Sequence, residues 1–551
     1  MAHEEPQASL LLQLPDPCLL LVLQSLAGNP ASLCSAARAH SRLHQAAVMT
    51  LTSISAKITS QEQVDGSLLP YLSKHGQHTC SMRLQCVERV EKLRQLPVQS
   101  MAQLTYLDLS HFELQLQAGG GVQGVLGAAR LPLTQLRLSF CVVLDGFQGM
   151  AAALSLLPRL EHLDVNMLEA QDSSYFTSEV FTPATLQHLQ QLTYVAVAGV
   201  RDDYPAPLVL QPLQALTRLA HLQMDGTSFP ATGQYPLQIE NDTLLSSHHL
   251  THLELPWGVL FDSGVLAGKT RLHHFSLPQG RITGGAAGVA QLLSGLQHMQ
   301  QLTHLVLTNA WDAVMRGTPL QQHEGHSPAA AFSALTASSK LQLLDISRCT
   351  LPVGAWQHMF PVGRQLPHLL SLDISWVEDQ SGGGADAPEG SRLACCCPSL
   401  QSLHMEGLEC RAGQLLALSE LSGLSQLHVT LDQVGLTDLR MRDCRHLTGL
   451  RELHIDSQGD SYADEVGLLL QLTHLWQLTH LSFTAHNWDP AQVQCEDEGS
   501  VMCRVSLAMG VAMLLSCNTF HVHTFCQRAP IVTMDTMVWY ACSTLNASIL
   551  K

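Results

Sequence analysis

Apolar residues return along this chain as a hexapeptide, L-x-x-L-x-L, in which Met, Val, Ile or Phe sometimes replaces a leucine. LTHLVL, from Leu302, is a clear copy. Others start at Leu104, Leu133, Leu160, Leu192, Leu219, Leu250, Leu272, Leu341, Leu369, Leu400, Leu424, Leu450 and Leu478. Successive starts lie roughly 22 to 39 residues apart, most near 28, a period that marks a solenoid of stacked units. Side chains alternate along a strand, so the fourth and sixth positions, Leu305 and Leu307 in that copy, point to one face. One strand cannot cover that face alone. Stacked about 4.8 Å from its neighbours, it contributes to a leucine ladder and a parallel sheet. Between strands the apolar spacing changes to three, as at Leu213, Leu216 and Leu219, which predicts a helical or 3₁₀ return on the opposite side.

The pattern resembles the leucine-rich repeat family over roughly residues 100 to 485. The resemblance implies an α/β solenoid with parallel strands on a concave face and helical or 3₁₀ returns on a convex one. The family places Asn or Cys at the ninth position, where the side chain bonds the backbone at the turn. Cys141 and Cys349 fill that place here, while other copies carry Phe112, Leu168, Val200 or Gly258. A second register at Leu436, LTDLRMRDC with Cys444 ninth, competes with the copies at Leu424 and Leu450.

Residues 10–48 have a different period. Leu19, Leu20, Val22, Leu23 and Leu26 give one amphipathic helix, Gly28, Asn29 and Pro30 break it, and Leu33 to Ala47 gives an Ala-rich second helix. This small all-α module resembles an F-box. Leu14 and Pro15 match the opening pair, Leu19, Leu20, Leu23 and Leu26 match the first helix, and Leu33, Arg38, Arg42 and Leu43 fall in the second. The family's Cys and Trp near the module's end are absent, and Arg38, His40 and Ser41 stand in that neighbourhood. The resemblance implies that Leu14, Pro15, Leu19, Leu20, Leu23 and Leu26 contact a Skp-type adaptor. The competing expectation is a cap that shields the first repeat from water. Residues 49–100 read as a linker with degenerate leading strands at Leu51–Ile58 and Met82–Cys86, residues 101–490 as the solenoid, and 491–551 as a C-terminal cap containing an apolar helix at Val505–Leu515.

The third and fifth positions of each strand face away from the ladder, onto the concave surface where this family binds its partners. In the third column stand Tyr106, His162, Tyr194, His221, His252, His274, His304 and His480, and in the fifth His404, His428 and His454. These residues are the expected partner-binding face. Aligned imidazoles at one-strand spacing could share a metal ion, but no Cys or carboxylate cluster completes a coordination set, so no metal site is expected. Part-exposed histidines are expected to titrate near about 6.5.

A net charge of −17 disfavours broad binding to nucleic acid or anionic membrane, both of which require a basic surface. Only 14% of residues are charged, while 46% are hydrophobic, enough for a long packed interior. The 16 cysteines show no paired spacing and read as free thiols of a reducing compartment. The acidic MAHEEPQ does not resemble a secretory signal, and the longest apolar run is too short for a membrane span, so the expected location is cytoplasm or nucleus. The glycine run Gly382–Gly384 lacks the Lys-Ser/Thr of a phosphate loop. No nucleophile elbow, dinucleotide fingerprint or zinc-spaced Cys pair is present, so neither catalysis nor a cofactor is expected. The sequence reading is therefore a protein-recognition solenoid serving as substrate receptor of a Skp/cullin/F-box ubiquitin ligase. The alternative is a repeat scaffold or assembly factor of the cytoskeletal or axonemal kind, with no ubiquitin role.

Overall fold

The structure is a computed structural model. It describes residues 14–25, 39, 41–50, 52–87, 91–93, 96–97, 100–116, 125–126, 131–170, 179–199, 211–225, 238–240, 243–244, 246–311, 328–379, 388–408, 414–431, 447–457, 475, 477–485 and 519–524. The chain divides into two units, Met1–Leu260 and Phe261–Lys551. Each is a solenoid of stacked parallel strands joined by helical or 3₁₀ returns.

In the first unit the strands β1 (Ser53–Ile58), β2 (Ser81–Cys86), β3 (Tyr106–Ser110), β4 (Gln135–Ser139), β5 (His162–Asn166), β6 (Tyr194–Ala198), β7 (His221–Asp225) and β8 (His252–Glu254) pair in sequence order, all parallel. Both stretches read as degenerate leading strands are members of this sheet. In the second unit β9 (His274–Ser276), β10 (His304–Val306), β11 (Leu343–Asp345), β12 (Ser371–Asp373), β13 (Ser402–Met405), β14 (Gln426–Leu431), β15 (Glu452–Ser457), β16 (His480–Ala485) and β17 (Thr519–Thr524) do the same. Strand β14 pairs directly with β15, and the competing register at Leu436 lies outside the described residues. Strand β17 lies in the region read as a C-terminal cap, and the run Val505–Leu515 lies outside the described residues.

The register carries equivalent positions onto one another. Phe275 sits opposite Leu305, and Leu305 opposite Leu344, and all three are fully buried. Each such side chain contributes roughly 1.5–3 kcal/mol by leaving water. The second position of the motif, Thr in LTHL, has its own ladder. The hydroxyls of Thr134, Thr193, Thr251, Thr303 and Thr479 donate to the equivalent carbonyl of the preceding repeat, Thr105, Glu161, Ala220, His273 and Arg451, at 2.8–3.2 Å.

The turn after each strand explains why the ninth position can vary. In the repeat from Leu250 the ninth residue, Gly258, adopts a left-handed conformation; in nine of the other repeats the eighth residue takes it instead: His111, Phe140, Met167 and Gly199 in the first unit, and Gln279, Asn309, Arg348, Trp376 and Gly407 in the second. That reversal aims its N–H at the seventh-position carbonyl of the next repeat, as in Phe140 to Asn166 at 2.8 Å and Arg348 to Ser375 at 2.8 Å. Where a ninth-position Cys occurs it adds a second tie. The Cys141 thiol donates to the Leu109 carbonyl at 3.4 Å and Cys349 to Leu307 at 2.9 Å, in each case the sixth residue of the preceding repeat.

The returns are short helices and 3₁₀ turns, such as Gly146–Ser155 and Gln211–Ala215 in the first unit and Ser263–Leu266 and Gly285–Gln297 in the second. The helix Gly285–Gln297 buries Gly288, Val289, Leu292, Leu293 and Leu296, a stripe with the spacing of one helix face. Near the N-terminus, α1 (Asp16–Ser25) packs on α2 (Ser41–Thr50), burying Leu19, Leu23 and Leu43. Arg42 clamps the pair, donating to the Leu14 carbonyl at 2.9 Å and to Asp16 at 2.5 Å. Leu26, Leu33 and Arg38 lie outside the described residues. Among the described residues no helix is long and apolar enough to cross a membrane.

Candidate partner-binding face

Because every strand is parallel and in register, equivalent outward positions stack at the strand spacing, and neighbouring rings meet face to face. In the first unit His162 lies 5.5 Å from Tyr194, Tyr194 lies 4.2 Å from His221, and His221 lies 3.9 Å from His252 between ring centres. The sequence columns named these four residues but not the continuous stack they form. His221 and His252 belong to the first unit and His274 and His304 to the second, so the expected column of four histidines is seen as two pairs, the second with its rings 5.4 Å apart.

Beside the first stack, Arg83 donates to Asp108 at 2.8 Å and to the Tyr106 hydroxyl at 3.1 Å, and that hydroxyl reaches Asp108 at 3.2 Å. Arg137 donates to Asp164 at 2.7 Å. The basic residues of this surface are thus held by carboxylates one strand away.

The expectation that the columns titrate near 6.5 fails at His221. Burial under the neighbouring rings, reinforced by the charge His252 would carry, pushes its pKa down to about 4. A half-buried imidazole stacked between two rings loses the water that would stabilise its cationic form.

In the second unit the fifth-position rings His404, His428 and His454 follow one another at 4.0 and 5.1 Å. Carboxylates surround them. His404 Nδ1 lies 3.5 Å from Asp373, while Glu406 Oε1 lies 3.4 Å from His428 Nδ1 and 3.7 Å from His454 Nε2. Glu406 occupies the seventh position, which the sequence columns left out, although side-chain alternation places it on the same face as the third and fifth. Thr430 and Asp456 are its equivalents in the next two repeats, 3.5 Å apart. A zinc ion held at about 2.0–2.1 Å by Glu406, His428 and His454 would require both rings, tilted 35° to each other, to turn toward one point. The geometry described is that of charge-assisted pairing.

Electrostatics follow the pairing. The hydrogen bond to Asp373 raises the His404 pKa above its ordinary value against the opposing effect of burial. Burial pushes the Asp373 carboxyl upward, but bonds from His404 and Ser375 outweigh it and hold it low. The bond from His428 holds Glu406 low. Asp345 is raised, because burial exceeds the help from Ser347 and Thr308.

Since folding raises His404, its contribution to stability is complete below the unfolded imidazole value and is lost as pH rises through the folded one. Since folding lowers Asp373 and Glu406, theirs is present above the ordinary carboxylate value and is lost as pH falls through the lowered ones. The cluster therefore stabilises most between about pH 4.5 and 6.5. Asp373→Asn is expected to return the His404 titration toward its ordinary value, as read from ring proton shifts by NMR. An unchanged His404 titration would contradict the pairing.

At the N-terminus the expected adaptor residues divide. Leu19 and Leu23 are buried against α2, Leu14 and Leu20 are half-buried, and Pro15 is exposed. The outer side of α1 also presents Leu21, 67% exposed, and Val22.

No family model matches the chain, and no curated protein matches it. Among solved structures it is similar to an internalin from Listeria monocytogenes, at 15% identity over 77% of this chain and 86% of that one, with a TM-score of 0.35. It is also similar to TLR13 in its complex with ssRNA13, at 15% identity over 80% of this chain and 65% of that one, with a TM-score of 0.40.

Proposed function

We propose that the chain is a non-catalytic recognition protein that binds a partner protein on the concave strand faces of its two units. The observation that carries this reading is the pair of outward ladders. Rings and paired charges at the third, fifth and seventh positions are held in register by the sheet and are half-buried, so their outer surfaces remain in reach of a partner. Rigid aromatic and imidazole side chains lose little conformational freedom on binding, which suits them to recognition.

The specific reading is a substrate receptor of a Skp/cullin/F-box ubiquitin ligase. Support comes from the LPDPCLLLVL opening, from the exposed Pro15 just before α1 and from the exposed Leu21 on it. A helix serving only as a cap has no need of exposed apolar residues on its far side. Ligase chemistry would then reside in other subunits.

Co-precipitation of the full chain with a purified Skp-type adaptor tests this. Binding by the wild type that Leu21→Asp with Val22→Asp abolishes would support the receptor. No binding by the wild type would leave the scaffold reading, in which the concave faces still bind a partner.

A further inference from the structure

The outward face of the second unit carries its charge differently from that of the first. In the first unit the fifth-position carboxylates are matched one strand away, Asp108 by Arg83 at 2.8 Å and Asp164 by Arg137 at 2.7 Å. In the five second-unit repeats from Leu341 to Leu450, the third, fifth and seventh positions hold Asp345, Asp373, Glu406, Glu452 and Asp456 and no Lys or Arg. The groups at those positions that can become cationic are His404, His428 and His454. Arg348 and Arg451 stand at the edges, in the eighth and second positions of their repeats.

The register sets two of these carboxylates against each other. Asp345 lies directly opposite Asp373 on the neighbouring strand, and like charges so placed destabilise a sheet. Hydrogen bonds orient both groups: Asp345 accepts from Ser347 and Thr308, and Asp373 from the Ser375 N–H, with His404 3.5 Å away. Hydroxyls and amides do not cancel a carboxylate's charge, and burial, with the Asp373 charge added to it, raises the Asp345 pKa. A cationic side chain laid over the pair would relieve the repulsion, and the outward positions of these five repeats supply no Lys or Arg to do so.

Trp376 follows Asp373 at the rim of the same repeat, 38% exposed. Its ring is seated over Gly407, where a Cβ would lie 2.5 Å from it. An indole held in place near carboxylates suits the apolar stem and the charged head of Lys or Arg. From β11 to β15 there are four strand spacings of about 4.8 Å, about 19 Å in all, which is the rise of about six extended residues. Alternate side chains of such a segment point to one side and can face the sheet together.

We propose that the outward face of β11 to β15 binds an extended segment of the partner that carries Lys or Arg at alternate residues, with its cations over the Asp345–Asp373 pair and beside Glu406 and Glu452. The inference rests on the reading that the concave faces bind a partner, and it names the chemistry that the second unit takes. Asp345, Asp373, Glu406 and Glu452 are half-buried, so less water screens them than would screen a fully exposed cluster.

The experiment uses the full chain at pH 7.5 and a fluorescein-labelled peptide of alternating Lys and Ser, about eight residues long, with its Glu-Ser counterpart as the comparison. The Lys peptide is expected to bind, and the Glu peptide is not. Asp373→Asn with Glu406→Gln is expected to weaken the Lys peptide at least tenfold. Glu389→Gln with Glu420→Gln, the same change of charge at exposed residues outside the strands, is expected to weaken it less than twofold. On the wild type, zero-length carbodiimide coupling followed by peptide mass spectrometry is expected to join the peptide's amines to Asp373, Glu406 or Glu452. Equal weakening by both pairs of substitutions, or coupling spread over exposed carboxylates at large, would overturn the proposal. A cellular partner captured from His428 alongside that negative result would overturn this charge assignment alone and leave the proposed function standing.

Discussion

Leu305→Asp is expected to destabilise the second unit by on the order of 5 kcal/mol, the largest effect of any substitution considered. Leu305 lies in register between Phe275 and Leu344, all three without exposure. Loss of a buried leucine side chain costs about 2–5 kcal/mol. A carboxylate in that place must also be protonated or leave its desolvation uncompensated, which adds a few more. The sum rivals the whole stability of many domains. The adjoining Val306→Asp is the control, since that residue is half-buried and faces outward; it is expected to cost about 1 kcal/mol or less. Urea unfolding of both variants gives the comparison. A Leu305→Asp curve that overlays the wild type, or the reverse order of the two, would contradict the inward and outward assignment.

Gly407→Ala is expected to cost roughly 2–3 kcal/mol and to disturb the histidine cluster as well. Gly407 has φ near +71°, where a Cβ costs about 1 kcal/mol or more. A methyl group there would also lie 2.5 Å from Cε3 of the Trp376 ring, so the indole must move and its packing is lost. The Gly407 N–H donates to Thr430 at 2.6 Å, and the preceding residue is Glu406, which pairs with His428 and His454. Strain at this turn therefore reaches the ladder directly. A lower melting temperature together with shifted His428 and His454 ring signals is the expected result; an unchanged melting curve with unmoved signals would show that the turn is not held as described.

Much of this architecture was legible because one short motif reports two periodicities. Leucines at positions four and six fix the inward face, and the spacing of three at Leu213, Leu216 and Leu219 marks the return. The outward columns followed by subtraction, and the rings of both stacks are drawn from them. The turn was harder to see, because its signal is a backbone conformation. His111, Phe140, Met167 and Trp376 all take the left-handed form at the eighth position, and no residue type announces it.

The same limit applies to electrostatics. His221 and His404 sit in look-alike contexts, AHLQM and SLHME, yet one pKa is pushed down under stacked rings and the other is drawn up by Asp373 in the preceding repeat. Partners contributed by the neighbouring repeat, some 30 residues away, decide the outcome. Glu406 was missed for a narrower reason. Reading only the third and fifth positions stopped one residue short of the turn, where Glu406 directly follows the strand. The repeated Thr of LTHL carries no signal in the apolar pattern, yet its hydroxyl forms a ladder of its own.

The central claim is that the outward strand positions, and not the returns, meet the partner. Site-specific photocrosslinking in cells tests it most directly, with benzoylphenylalanine placed singly at Tyr194 and His428 on the strands and at the exposed Leu156 and Val362 on the returns. The account predicts a discrete crosslinked product from Tyr194 or His428 and none from Leu156 or Val362. Products from the return positions alone would contradict it.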